Sequence, residues 1–93
     1  MKTLTVFYLE GCPYCRNAIA AVKELRAEMP AFAAVRIDWI EERKNAAIAD
    51  RYDYYNVPCI FCGDVKLYEC SPGDDYFTIR QQFKNAAAFA AGE

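Results

Sequence analysis

The first predicted strand leads into the first predicted helix through Val6-Phe7-Tyr8-Leu9-Glu10-Gly11-Cys12-Pro13-Tyr14-Cys15. Residues 4–9 have the length and the β-branched and aromatic composition of a strand. Gly11 breaks the strand, and Pro13 suits the first position of a helix, where its fixed φ is helical and its missing N–H would be unpaired anyway. Apolar residues then recur at helical spacing until Met29-Pro30. The stretch therefore predicts a strand, a turn bearing two cysteines, and a helix.

The rest of the chain alternates the same two kinds of element. The pattern predicts a strand at residues 33–39, a helix at 41–52, a β-hairpin from 59–62 and 65–70, and a last helix from Tyr76 onward. Helices between strands imply right-handed parallel crossovers, and the hairpin adds an antiparallel edge. We expect an α/β fold of order β-α-β-α-β-β-α, with a four-stranded mixed sheet flanked by three helices in one domain over residues 1–93.

Composition excludes several classes of function. The net charge is -2 and the basic residues are scattered, so we expect no nucleic-acid partner. No apolar run approaches the roughly 18 to 20 residues that cross a bilayer, and no small-residue cleavage site follows the first strand. We therefore expect a cytoplasmic protein with no membrane partner. The absence of histidine excludes Ser-His-Asp and Cys-His catalysis, and five cysteines cannot all pair within one chain.

Cys12 and Cys15 lie where the strand turns into the helix. A cysteine at a helix N-terminus faces unpaired N–H groups and the positive end of the helix dipole, which favour the thiolate. Arg16 adds a positive charge and Pro13 starts the helix, so both are possible modulators. Because the thiolate is the nucleophile in disulfide exchange, we expect Cys12 to attack and Cys15 to resolve. The alternatives are two small buried residues or half of a zinc site.

These residues resemble the active site of the glutaredoxins, a family of the thioredoxin-like superfamily whose dithiol members carry Cys-Pro-Tyr-Cys. Two other segments are similar to that family: Asn56-Val57-Pro58-Cys59-Ile60-Phe61 to its Thr-Val-Pro strand, and Gly73-Asp74-Asp75 to the acidic start of its last helix. The resemblance implies a thioredoxin-like fold. It also implies a thiol-disulfide oxidoreductase that reduces protein or glutathione mixed disulfides in cell redox homeostasis, with no metal and no organic cofactor.

The resemblance also implies roles for residues around the dithiol. Pro58 would be cis and pack against the cysteines, and Val57 would pair with the backbone of the substrate's cysteine. Tyr14 would border the substrate groove. Asp74 or Asp75 would meet the γ-glutamyl amine of glutathione, while helix N–H groups meet its carboxylate. Ordinary N-capping is the alternative interpretation of both aspartates.

The chain departs from the family pattern where the glycyl carboxylate of glutathione would bind. Leu9 stands in place of the usual lysine, Asp53-Tyr54-Tyr55-Asn56 replaces a segment that commonly supplies a basic or amide residue, and Ser71-Pro72 replaces Gly-Gly. We therefore expect weaker use of glutathione than in a typical member, with a thioredoxin reductase as an alternative electron source. A glutathione-dependent 2Fe–2S carrier is a further alternative, which the proline of Cys-Pro-Tyr-Cys disfavours. We expect a monomer.

The other three cysteines lie in the predicted hairpin. Cys59 and Cys62 form a second Cys-x-x-Cys, but side chains three apart on a strand point to opposite faces, so they suit a shared zinc ion poorly. Cys59 follows Pro58 and is either a possible modulator near Cys12 or a buried strand residue. We expect Cys62 and Cys70 to pack within the hairpin.

Overall fold

The computed structural model describes residues 1–92, which form one four-stranded sheet with helices against both faces. The strands are β1 (Leu4–Tyr8), β2 (Ile37–Glu41), β3 (Cys59–Cys62) and β4 (Val65–Glu69), and the helices are α1 (Pro13–Glu28), α2 (Pro30–Ala33), α3 (Ala46–Ala49) and α4 (Tyr76–Gly92). The strand order is β2-β1-β3-β4. β1 is parallel to β2 and antiparallel to β3, and β4 is antiparallel to β3. This mixed sheet confirms the predicted thioredoxin-like α/β fold.

Each face of the sheet buries its own cluster of side chains. On one face Val6 and Ile60 pack with α1 and α4 in the main core. On the other face Phe7 and Phe61 pack with Ala49 of α3 and with half-buried tyrosines. Strand side chains alternate between faces, so neighbouring residues of β1 and β3 anchor different clusters. The end of β1, which leads to the two cysteines, is therefore held from both sides.

The second strand begins later than the sequence predicted. Residues 33–39 were expected to be extended, whereas Pro30–Ala33 form the short helix α2 and β2 occupies Ile37–Glu41. Pro30 suits the first position of a new helix, and Phe32 and Val35, three residues apart, are both buried in the main core. The described residues therefore contain four helices where three were predicted.

The predicted helix over residues 41–52 is much shorter in the structure. Glu41 ends β2, and α3 covers only Ala46–Ala49. The buried carboxylate of Glu41 accepts hydrogen bonds from the backbone N–H groups of Arg43 and Lys44 at 2.6 and 3.3 Å. Such side-chain bonds compete with helical ones and hold residues 42–45 as turns. Ile48, within the predicted helix, is exposed on α3.

No helix within the described residues is both long enough and apolar enough to cross a membrane.

Candidate active site

Cys12 lies at the N-terminus of α1 as its N-cap residue. Its backbone is extended, with φ -80° and ψ 124°, and no side chain caps the helix. Gly11 before it has φ 82°, a conformation that glycine adopts without the cost that a side chain would bring. The N–H of Cys12 donates to the C=O of Leu9 at 3.3 Å, and the N–H of Arg16 donates to the C=O of Cys12 at 2.9 Å. Because the first turn has no side-chain acceptor, its N–H groups and the helix dipole are available to a negative charge on Cys12.

Cys15 lies one turn further along α1 and is 1% exposed, whereas Cys12 is partly exposed. The backbone N–H of Leu9 donates to the Cys15 sulfur at 3.4 Å. Burial raises the pKa of Cys15 to about 12, although the Leu9 hydrogen bond opposes the shift. Cys15 is therefore a protonated, shielded thiol at neutral pH, and Cys12 is the sulfur that a substrate reaches first.

The loop before Cys12 is held by charged groups on both sides. The Arg16 guanidinium donates to the C=O of Gly11 at 3.2 Å, which places its positive charge one residue from Cys12. The Glu41 carboxylate accepts the N–H of Glu10 at 3.2 Å, and the Lys44 ammonium binds the Glu10 carboxylate at 2.6 Å. Hydrogen bonds from backbone N–H groups, that of Glu10 first, lower the pKa of Glu41. Glu41 carries no sequence signal of this role, because the polar run after it resembles the start of a helix.

The second part of the site is the loop that precedes β3. The Val57–Pro58 peptide is cis, as the resemblance implies. Pro58 is buried, and its C=O accepts the N–H of Cys70 at 3.0 Å. Within residues 1–92 no hydrogen bond uses the backbone N–H or C=O of Val57. Both groups are therefore free to pair with an extended peptide.

Glu69, at the end of β4, holds this second loop in place. One carboxylate oxygen accepts the N–H groups of Tyr55 and Asn56 at 2.9 and 2.8 Å, and the other binds the Lys66 ammonium at 2.8 Å. Lys66 and the two N–H donors together lower the pKa of Glu69 to about 2. Glu69 carries no sequence signal of this role, because alternation along β4 shows only which face of the sheet it occupies.

The two aspartates before α4 bind neighbouring backbone groups. Asp75 accepts the N–H of Thr78 at 2.8 Å and so caps α4. Asp74 instead accepts the hydroxyl of Tyr68 at 2.6 Å and the N–H of Ser71 at 3.0 Å. The bond from Tyr68 is the first cause of the lowered pKa of Asp74, and the bond from the Thr78 N–H is the first cause for Asp75. These bonds agree with the capping interpretation for Asp75.

Tyr14 connects this third loop to the dithiol helix. Its hydroxyl oxygen accepts the N–H of Gly73 at 2.8 Å. Tyr14, which lies between the two cysteines in the sequence, and Val57 line a groove of about 260 Å³, whereas Cys12 and Cys15 themselves do not line it. Its lining residues are Leu9, Tyr14, Glu42, Tyr55, Asn56, Val57, Cys70, Ser71 and Pro72. A larger hollow, of about 680 Å³, lies around Ile48 and Asp64 and contains none of the predicted site residues.

The remaining cysteines are divided between the two faces of the sheet. Cys59 packs in the cluster with Phe7, and Cys62 packs in the main core, so the two lie on opposite faces as the strand alternation predicts. Burial raises the pKa of Cys59 to about 12. Cys70 packs in the main core with Cys62, and its N–H donates to the C=O of Pro58 at 3.0 Å, which agrees with the expected packing within the hairpin; it also lines the groove. No group of three histidine, cysteine, aspartate or glutamate side chains in residues 1–92 is placed to hold a metal ion.

Comparison with known proteins agrees with this arrangement. Residues 4–67 match the family model described as Glutaredoxin, which covers more than half of the chain. The matched segment includes both Cys12 and Cys15 and the cis Val57–Pro58 peptide, and it ends before Asp74. A search of curated proteins found no match. With its four-stranded mixed sheet and its two cysteines at the start of α1, the chain is a thioredoxin-like redox protein and belongs to the glutaredoxin family.

Proposed function

We propose that the protein is a dithiol thiol-disulfide oxidoreductase that reduces protein or glutathione mixed disulfides through Cys12 and Cys15. The difference in exposure between the two sulfurs carries this proposal. Cys12 is partly exposed at an uncapped helix N-terminus, while Cys15 is 1% exposed and one turn inside. This asymmetry supports Cys12 as the attacking sulfur and Cys15 as the resolving one.

The reaction proceeds in two exchange steps. The Cys12 thiolate attacks the substrate R–S–S–R′, forms the mixed disulfide Cys12–S–S–R and releases R′–S⁻. The Cys15 sulfur then attacks the Cys12 sulfur, which forms the Cys12–Cys15 disulfide and releases R as a thiol that takes the Cys15 proton. The dithiol loses two electrons, and the substrate disulfide gains them.

Two properties of Cys15 support the order of these steps. The high pKa keeps Cys15 protonated, and therefore a weak nucleophile, until the mixed disulfide has formed beside it. The Leu9 N–H, which already points at the Cys15 sulfur, stabilises the negative charge that develops there during resolution. The chain has no histidine to remove the proton, so the departing thiolate is the base.

The substrate would be held by the backbone of Val57. Its unpaired N–H and C=O can form two hydrogen bonds with the cysteine of an extended peptide, in the manner of an added strand. Tyr14 lines the same groove, and the hydrogen bond from the Gly73 N–H to its hydroxyl holds it in position. This arrangement would bring the substrate disulfide close to Cys12 and would leave Cys15 covered.

The oxidised dithiol is reduced by two molecules of glutathione or by a thioredoxin reductase. The groove is lined by Leu9 and Glu42 and by no lysine or arginine, which supports weak use of glutathione. We propose a cytoplasmic role in cell redox homeostasis, carried out by a monomer that needs no metal or organic cofactor.

The test is a single-turnover reaction of the reduced protein with a small mixed disulfide, followed by intact-mass spectrometry. The wild type should end as the Cys12–Cys15 disulfide, two mass units lighter than the dithiol because two hydrogens are lost. Cys15→Ser should trap the mixed disulfide, and Cys12→Ser should not react. Cys62→Ala, in the main core, serves as the control for loss of a buried thiol and should behave as the wild type. Turnover by Cys12→Ser would refute the proposed function.

A further inference from the structure

The groove beside the dithiol carries a single acidic or basic side chain, and that side chain is acidic. Of the nine lining residues only Glu42 is a carboxylic acid, and none is a lysine or an arginine. Leu9, which bonds to Cys15 through its N–H, lines the same groove as Val57 and Glu42. A charge on a substrate residue next to the reacting cysteine would therefore lie in the same groove as the Glu42 carboxylate.

Glu42 is held in this position by two hydrogen bonds. It follows the last residue of β2, and its backbone N–H donates to the C=O of Tyr8 at 3.0 Å. The Tyr54 hydroxyl donates to one oxygen of its carboxylate at 2.7 Å. The second oxygen accepts no hydrogen bond within residues 1–92. Glu42 thus lies between the groove and a neighbouring hollow, and one oxygen of its carboxylate is available to a ligand.

The cations near the dithiol and the groove bind other groups or lie outside the groove. Lys44 binds Glu10 at 2.6 Å and Lys66 binds Glu69 at 2.8 Å, while Arg16 donates to the C=O of Gly11 at 3.2 Å. Arg43 lines a neighbouring hollow that Glu42 also borders, but it does not line the groove. The loops that form the groove are themselves held by carboxylates, since Glu69 accepts the N–H groups of Tyr55 and Asn56 and Asp74 accepts that of Ser71. The groove is therefore electronegative.

We propose that this groove selects disulfides of peptide or protein segments that carry a positive charge, or a neutral amide, beside the cysteine. Glu42 is the specificity-determining residue, and a carboxylate at the same place in the substrate is disfavoured. The inference rests on the proposed dithiol chemistry and names the substrate class for that same site. Complementary charge in a partly enclosed groove lowers KM and speeds association, whereas like charge opposes both.

The experiment uses three mixed disulfides that differ only in one terminal group. Each joins the same reporter thiol to γ-glutamyl-cysteinyl-glycine, to its glycinamide, or to its aminoethylamide, so the group is a carboxylate, an amide or an ammonium. The wild type should reduce the ammonium form fastest and the carboxylate form slowest. At low salt, kcat/KM should increase about five- to tenfold for each unit of positive charge added to the substrate. The preference should shrink to about twofold or less in 0.5 M salt, where the Debye length is short.

Substitutions of Glu42 assign the preference to its carboxylate. Glu42→Gln should bring the three substrates to within about twofold of one another, and Glu42→Lys should reverse their order. Asp38→Asn is the matched control, because it removes one negative charge from an exposed position on β2 and should leave the order unchanged. Circular dichroism checks that each variant is folded.

The possible failures are distinguishable. Equal use of the three substrates by the wild type, or a preference for the carboxylate form, would overturn the inference about substrate charge. If Cys12→Ser is inactive in the same assay, the proposed dithiol function still stands. An unchanged order in Glu42→Gln would overturn the assignment to Glu42. Activity of Cys12→Ser would remove the proposed function itself.

Discussion

Replacing Glu69 by glutamine should loosen the loop that presents Val57 to the substrate. The glutamine oxygen can still accept both N–H groups of the loop, but the negative charge and the ion pair with Lys66 are lost. Hydrogen bonds to a charged acceptor are about twice as strong as those to a neutral one. The variant should therefore be less stable than the wild type. Its KM should rise more than its kcat falls, because Val57 would bind the substrate equally in the ground state and in the transition state.

The magnitude follows from the pKa and the exposure of the pair. The pKa of Glu69 is about 2, against an ordinary 4.5. Such a shift is equivalent to roughly 3 kcal/mol if all of it were folding free energy. The Lys66 and Glu69 side chains are 36% and 22% exposed, so solvent screening removes at least half of that value. About 1 to 2 kcal/mol remains, or several degrees in Tm for a chain of this size.

The pH dependence has a definite sign. Because the pKa of Glu69 is lower in the folded protein than in the unfolded chain, its stabilisation is fully present above about pH 4.5. It is lost as the pH falls toward 2. Urea unfolding of the wild type and of Glu69→Gln should show a difference in unfolding free energy that is constant from pH 6 to 8 and at least halved by about pH 3.

Lys66→Gln provides the comparison that separates the two parts of the interaction. It removes the ion pair but keeps both bonds from the loop, so it should cost less than about 1 kcal/mol and less than Glu69→Gln. The reasoning is refuted if Glu69→Gln is as stable as the wild type at pH 7, or if the difference between them does not change with pH.

Three other perturbations follow from the site. Cys15 has a pKa of about 12, so its alkylation by iodoacetamide at pH 8 in Cys12→Ser should be at least about 100-fold slower than alkylation of Cys12 in Cys15→Ser. Similar rates for the two thiols would contradict the argument that burial protects Cys15. Tyr14→Phe should cost about 0.5 to 1.5 kcal/mol and speed hydrogen exchange at the Gly73 amide, with unchanged exchange as the negative result. Asp75→Ala should lower Tm by a few degrees through loss of the α4 cap, whereas Asp75→Asn, which can still cap, should not.

The parts of the fold that local patterns determine were predictable from the sequence. β1, the turn at Gly11 and the start of α1 at Pro13 depend on composition, backbone freedom and the missing proline N–H, all of which are local. The β3–β4 hairpin likewise follows from two short apolar runs around Gly63. Because these segments bear Cys12 and Cys15, the dithiol could also be found without the structure, whereas the roles of Val57 and Pro58 follow only from the resemblance to the glutaredoxins.

The errors fall where a tertiary contact decides the local conformation. Glu41 reads as the start of a helix, but its carboxylate binds N–H groups from two separate loops and so ends a strand. Residues 33–35 read as extended, but α2 and the turn after it let Phe32 and Val35 reach the main core together. Glu41 shows this most clearly, because the N–H group of Glu10 that its carboxylate accepts lies 31 residues away in the sequence.

The way in which the site is held also limits what it can bind. Glu41, Glu69 and Asp74 each fix a loop of the site by accepting its backbone N–H groups, so that the loops before Cys12, Val57 and α4 all depend on carboxylates. Carboxylates that satisfy loop N–H groups leave fewer of those donors for an anionic substrate, and their charge opposes its approach. Glu69 is partly neutralised by Lys66, whereas Glu42 on the groove wall is bonded only to a tyrosine hydroxyl. The charge that discriminates between substrates should therefore come mainly from Glu42, while Glu69 acts mainly through the position of the loop.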